Sequence, residues 1–199
     1  MKILRFFVLN LLFVTANSAY AVNPGQPAPD FTLSDLAGKS VKLSDLKGKT
    51  VVLEWVNPEC PYVRKHYDNS GNIPGLQKEY AAKVTWLAIN STREGHSEFK
   101  SPQQMEAWMK QTGGAPAATL LDRDSKVGKL YGAVTTPHMY VIDPKGTLVY
   151  VGAIDDKRST NPADVKTAKN YVRAALGETM AGKPVSTAST TPYGCTVKY

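Results

Sequence analysis

The sequence predicts an α/β domain with a mixed central sheet flanked by helices, and three observations carry that reading. Short apolar runs rich in β-branched residues alternate with helical stretches through the earlier part of the chain, the pattern of parallel strands joined by crossover helices. Val51 to Val56 is apolar almost throughout, as a strand buried on both faces must be. Later, Pro137 to Ile142 and Leu148 to Ile154 face each other across Asp143-Pro144-Lys145-Gly146, a turn that adds antiparallel pairing to the sheet.

The first 21 of the 199 residues stand apart from this fold. Lys2 and Arg5 form a short basic start, Phe6 to Val14 an apolar stretch, and Ala19-Tyr20-Ala21 a small-x-small cleavage site, the three parts of a secretory signal peptide. The stretch is too short to span a bilayer and no later segment is apolar enough. The expected protein is therefore periplasmic or secreted, with cleavage near Ala21 and no stable membrane span afterwards. Residues 22–178 are expected to form one domain, and 179–199 an irregular tail rich in Ser, Thr and Pro that reads as mobile.

The elements follow in order. After a Pro/Gly-rich entry, Phe31 to Leu33 and Val41 to Leu43 read as two short strands, an N-terminal hairpin. Val51 to Val56 is the first long strand, and the break at Asn57-Pro58 leads to a helix from Pro61, interrupted near Gly71 to Pro74. Val84 to Ile89 is a second buried strand. Ser101-Pro102 opens a helix through Met109, serine at the N-cap and proline at the first helical position. Ala118 to Leu121 is a strand and Val127 to Tyr131 a short helix. Beyond the strand pair, Asn161-Pro162 starts the last helix, which is expected to end at Leu176 before Gly177.

Charge excludes one class of partner. Loss of Lys2 and Arg5 lowers the formal charge from +7 to +5, and the remaining basic residues are scattered among acids. That is a solvated surface, not a nucleic-acid stripe. Gly48-Lys49-Thr50 imitates the end of a phosphate-binding loop, but Leu43 stands where the leading glycine belongs.

The sulfur atoms carry the chemistry. Cys60 falls between the first long strand and Pro61, at the start of a helix and beyond the carboxyl end of a parallel strand, where catalytic groups gather. Unsatisfied N–H groups and nearby Arg64 and Lys65 favour the thiolate, the reactive form. Cys195, the second of two cysteines, lies in the tail. An even count in an exported chain points to pairing, and two cysteines in so long a chain serve chemistry better than folding.

Four stretches together are similar to the redoxin/AhpC-TSA branch of the thioredoxin-like superfamily. They are Gly25-Gln26-Pro27-Ala28-Pro29-Asp30-Phe31-Thr32-Leu33, Gly48-Lys49-Thr50-Val51-Val52-Leu53, Cys60-Pro61 and Thr136-Pro137-His138-Met139-Tyr140-Val141-Ile142-Asp143. Within that branch, Asn57-Pro58-Glu59-Cys60-Pro61-Tyr62-Val63 and the terminal Gly194-Cys195 resemble a peroxiredoxin-like subgroup with a single Cys-Pro cysteine. The resemblance implies a thioredoxin-like fold in which Pro137 is cis and faces the catalytic sulfur. Because proline has no N–H, it leaves a backbone edge open to a substrate strand. The chain also departs from its relatives' patterns. Val63 stands where a CxxC motif has its second cysteine, Leu53 and Asn57 where a peroxiredoxin has proline and threonine, and no arginine stands near Pro137.

These readings assemble into an exported thiol oxidoreductase. Cys60 is the nucleophile, Cys195 resolves, and Pro137 shapes the groove. Tyr62, Thr136 and His138 are the substrate-facing candidates, with Pro61, Asn57 and Arg64 in support. The partner is a protein thiol or disulfide, or a small oxidant such as peroxide, with a separate thiol reductant; no cofactor or metal is called for. Glu54, a charge inside a buried strand, reads either as a proton relay or as an edge residue. His66 and His96 read as packing and surface groups. Two alternatives stay open: a module holding Cu(I) through Cys60, Cys195 and a histidine, and a scaffold tied by a structural Cys60–Cys195 bridge.

Overall fold

Strand β1 (Thr32–Asp35) turns back on β2 (Ser40–Lys42), and the chain then enters β3 (Thr50–Trp55). A computed structural model describes residues 22–199 except residue 69, so the signal peptide expected over 1–21 lies outside the described residues. Helices α1 (Pro61–His66) and α2 (Asn72–Tyr80), strand β4 (Val84–Asn90), helix α3 (Pro102–Thr112), strand β5 (Ala118–Leu121) and helix α4 (Lys126–Tyr131) follow. Then come β6 (Thr135–Thr136), β7 (His138–Ile142), β8 (Leu148–Gly152), α5 (Tyr171–Met180) and β9 (Cys195–Thr196).

The main sheet has the order β2-β1-β5-β4-β3-β7-β8. Strands β3, β4 and β5 are parallel, whereas β7 runs antiparallel to β3 and β8 to β7. The mixed sheet, the helices on both faces and the N-terminal hairpin are as the sequence predicts. Alternation along β3 divides the core. Val52 and Val56 pack with Val63, Leu76, Met105 and Leu176 beneath α1, α2, α3 and α5. Val51, Leu53 and Trp55 pack on the other face with Val127 and Tyr131 of α4. Every residue of β3 is buried, including Glu54, which explains the continuous apolar run.

Three expectations change. The helix from Pro61 ends at His66 and α2 begins at Asn72, so that Pro74 sits inside the first turn of α2, where a missing N–H costs nothing. Asn161-Pro162 opens only a 3₁₀ turn, Pro162–Lys166, with the Asn161 side chain accepting from the Ala163 N–H. The last helix starts at Tyr171, capped by Asn170 accepting from the Arg173 N–H. It runs through Gly177 to Met180, and Gly182, with φ of 68°, is the glycine just beyond its end.

The tail departs most from expectation. Ser189 bridges to Val151, and the Thr190 side chain fills the space over Gly152 and accepts from the Ala153 N–H. Tyr193 is buried, and β9 pairs with β6. Its composition is that of an irregular segment, yet long-range contacts seat it against the domain.

Candidate active site

The loop after β3 is shaped by Asn57. Its Oδ1 accepts from the Glu59 N–H at 2.9 Å, and its carbonyl accepts from the Cys60 N–H at 3.1 Å. Its Nδ2 donates to Glu98 at 2.6 Å. Cys60 then occupies the N-cap of α1, followed by Pro61 at the first helical position. The thiol is 1% exposed and donates to the carbonyl oxygen of Thr136 at 3.0 Å. The Thr136–Pro137 bond is cis. The elements that sequence reading joined only by resemblance, the Cys60 loop and Pro137, are thus in direct contact.

Cys195 completes the site. Antiparallel pairing of β9 with β6 sets Cys195 opposite Thr136 and Thr196 opposite Thr135. Gly194 lies so close that a Cβ there would stand 2.0 Å from the Thr136 carbonyl oxygen. Cys195 is half-buried and packs against the apolar cluster that contains Cys60. Burial and the neighbouring Cys60 thiol push its pKa up to about 12. Both cysteines are free thiols. Among nearby charges, Lys198 pulls the Cys195 pKa down and Glu98 pushes it up. Glu98 also ties the two halves of the site together, holding Asn57 on one side and Lys198 at 3.7 Å on the other.

A buried polar cluster anchors the tail just before Cys195. The Tyr193 hydroxyl donates to Asp155 and lies 3.2 Å from His66 Nε2 and 3.4 Å from Lys65 Nζ. Lys65 is fully buried, 3.7 Å from Asp155, and donates to the Lys157 carbonyl at 2.6 Å. Burial and the Lys65 charge hold the His66 pKa down at about 3, so this histidine is a neutral packing group. Sequence reading missed Tyr193, Asp155 and Glu98. The aromatic residue beside Gly194-Cys195 was the one available signal, since a buried tyrosine in a polar tail needs a hydrogen-bond partner.

The other candidates divide. Tyr62 packs edge-on against Tyr193, with ring centroids 5.8 Å apart, and so meets the tail. Arg64 is turned outward, donating to the Pro58 carbonyl and to Glu59, where it braces the loop rather than the sulfur. His138 does not face Cys60. Strand alternation places it with Tyr140, whose hydroxyl lies 3.1 Å from its Nδ1, on the α4 side of the sheet, and burial lowers its pKa to about 4. Glu54 is no edge residue. Its Oε2 accepts from Trp86 at 2.7 Å and Tyr67 at 3.0 Å, Oε1 has no partner, and burial raises its pKa to about 7. His96 accepts from the Glu98 N–H in the surface loop. Among the described residues, no group of three or more His, Cys, Asp or Glu side chains is arranged to hold a metal ion.

Comparison with known proteins places this geometry in a lineage. Residues 24–151 match the model of the AhpC/TSA family. A Bacillus subtilis protein named thioredoxin-like protein YneN is 31% identical over 158 residues, covering 78% of this chain and 88% of the relative. The thiol-disulfide oxidoreductase ResA of Bacillus subtilis is 28% identical over 148 residues, covering 74% of this chain and 75% of its own. A crystal structure of an uncharacterized conserved protein from Geobacillus kaustophilus superposes with a TM-score of 0.75 at 28% identity, over 92% of this chain and 94% of the other.

Proposed function

The chain belongs to the AhpC/TSA family, with a thioredoxin-like fold, and from that membership we propose that it is an exported thiol oxidoreductase cycling between a Cys60/Cys195 dithiol and a Cys60–Cys195 disulfide. The observation that carries the proposal is the convergence of both cysteines on Thr136, whose carbonyl accepts the Cys60 thiol and whose strand pairs with Cys195, beside the cis bond to Pro137. Cys195 takes the place of the second cysteine that Val63 leaves vacant in a CxxC motif. The tail supplies what α1 lacks.

In the forward half-cycle the Cys60 thiolate attacks one sulfur of a disulfide RSSR′. A Cys60–SR bond forms, the RS–SR′ bond breaks, and R′S⁻ leaves and takes a proton. Cys195 then loses its proton and attacks the Cys60 sulfur, and RS⁻ leaves with the electron pair. With a peroxide the first product is a Cys60 sulfenic acid and the second step releases water. An external thiol reductant reverses the oxidation. Electrons pass through sulfur alone, so the chemistry needs no nucleotide, flavin or metal.

Each supporting residue has a place in this cycle. Asn57 and Pro61 present Cys60, Arg64 braces its loop, and Thr136 receives its hydrogen bond. Glu54, on the α1 side of the sheet with a pKa near 7, is the buried acid able to take or give a proton at neutral pH.

Export rests on the basic, apolar and small-x-small segments of residues 1–21, which place the mature protein, from residue 22, in the periplasm or outside the cell. The folded unit is then residues 22–178 together with the tail.

Peptide mapping after one equivalent of oxidant tests the cycle. A single intramolecular Cys60–Cys195 linkage, reopened by mild reductant, is the expected product. Unpaired cysteines, or linkage only between chains, would overturn the mechanism. A bridge that resists mild reductant would make it structural.

A further inference from the structure

A thioredoxin-like site offers a partner polypeptide the backbone edge just before its cis-proline, and here that edge is taken. The Thr135–Thr136 strand is paired with the chain's own Cys195–Thr196. Gly194 is packed against the Thr136 carbonyl so tightly that not even a methyl group fits between them. Cys60 lies underneath, 1% exposed. A second extended strand cannot pair with Thr136 while the tail is seated, because each backbone edge bonds one neighbour.

The seat is fixed on both sides of Cys195. Before it, Tyr193 is held by Asp155 and His66. After it, the Val197 N–H donates to the Val134 carbonyl, the Arg93 N–H to the Lys198 carbonyl and the Tyr199 hydroxyl to the Ala133 carbonyl. Lifting the tail exposes Tyr193 and strips Asp155 of its tyrosine partner in the domain interior, where unsatisfied polar groups are costly.

We propose that residues 193–197 act as a built-in substrate strand that sets specificity: Cys60 takes small oxidants, a low-molecular-weight disulfide or a peroxide, and refuses a disulfide carried in an extended polypeptide. This rests on Cys60 being the attacking thiol. The Cys60 thiolate displaces thiolate or alkoxide from the small oxidant, and Cys195 then closes the disulfide without the tail having to move. Of the two oxidant classes the site was read to accept, the seated tail favours the small one.

The test uses Cys195→Ser, in which Cys60 is the sole thiol and the tail backbone is kept. Two probes carry the same reactive group, methyl methanethiosulfonate and a thiosulfonate on the central side chain of a short extended peptide. Mass spectrometry follows labelling of Cys60, and the same protein unfolded in urea supplies the reference ratio of the two rates. The folded protein is expected to disfavour the peptide by roughly a hundredfold relative to that reference, since the competing strand is intramolecular. Tyr193→Ala in the same background is expected to raise the ratio of peptide rate to small-probe rate at least about tenfold. A folded ratio equal to the unfolded one overturns the specificity role while leaving Cys60 the nucleophile. A Cys60 inert to the small probe overturns the nucleophile reading and the specificity role together. The ratio in Cys195→Ser decides even if Tyr193→Ala does not fold.

Discussion

Cys195 pairs across the β6–β9 ladder with Thr136, the residue whose carbonyl accepts the Cys60 thiol, although one cysteine sits in the last strand of the chain and the other opens α1. The same carbonyl, that of Thr136, receives the Cys60 thiol and lies against Gly194. The two cysteines therefore meet at one residue of the fold.

That arrangement predicts what happens when the second sulfur is removed. In Cys195→Ser, a stoichiometric peroxide challenge is expected to stop at the Cys60 sulfenic acid, trapped by a sulfenate-specific nucleophile such as dimedone and seen as one mass adduct. Wild type under the same challenge gives the disulfide and no adduct. Equal trapping in both proteins would show that Cys195 does not resolve.

The anchor before Cys195 predicts a thermodynamic effect. Tyr193→Phe keeps the ring against Tyr62 but removes the hydroxyl that meets Asp155 and His66. Loss of bonds to a buried charged partner costs about 1–3 kcal/mol of stability. Looser seating of the tail lowers the effective concentration of Cys195 at Cys60, so the disulfide's equilibrium constant with glutathione falls by roughly tenfold. A change in melting temperature alone, with the glutathione equilibrium unmoved, would leave Tyr193 a packing residue.

Glu54 predicts an inverted pH dependence. Its pKa is about 7 in the fold against 4.5 for the free group. The folded protein therefore binds the proton more tightly, and the Glu54 contribution to stability is full below pH 4.5 and is lost as pH rises through 7. His66 and His138 act in the opposite sense. Their pKa values fall from 6.5 to about 3 and about 4, so stability is lost as pH drops below 6.5. Comparison with Glu54→Gln isolates the first effect. Between pH 5 and pH 8 wild type is expected to lose about 2–3 kcal/mol relative to the variant in urea unfolding. A constant difference would place the Glu54 titration elsewhere.

Two glycines predict opposite signs. At Gly194 a Cβ would meet the Thr136 carbonyl oxygen at 2.0 Å and its carbon at 2.7 Å, with φ at 145°. Gly194→Ala must displace β9, so it is expected to cost about 2–4 kcal/mol and to expose Cys195 to faster alkylation. Gly177, inside α5, has nothing within 4 Å of such an atom. Gly177→Ala is expected to stabilise by about 0.5–1 kcal/mol and to leave both thiols unchanged. Thermal melts with thiol-labelling rates separate the two.

Much of the fold was legible in the residues. The buried β3 run, the Ser101-Pro102 cap and the turn at Asp143-Pro144-Lys145-Gly146 are local signals, each read within a few positions, and each lies where it was expected. Local signals also misled. Asn161-Pro162 has the residues of a helix start but forms one 3₁₀ turn, because Asn170 makes the competing cap where the apolar face of α5 can reach the sheet. His138 reads as substrate-facing because it follows Pro137, yet strand alternation turns it to the opposite face of the sheet, beside Tyr140.

By itself, the sequence determined the long strands, the mixed sheet and the position of Cys60 beyond the end of β3 at the start of α1, since backbone propensity, capping and hydrophobic period act over a few neighbouring residues. Only the tertiary structure decided where the tail goes. Its Ser, Thr and Pro content describes a segment with little to bury. It is seated by the unpaired edge at Thr136, the Asp155–Lys65–His66 cluster that receives Tyr193, and the absence of a side chain at Gly194. None of those partners is near the tail in the chain. The cysteine count pointed to a pair, but the approach of β9 to the Thr136 edge beside Cys60 is a product of long-range complementarity.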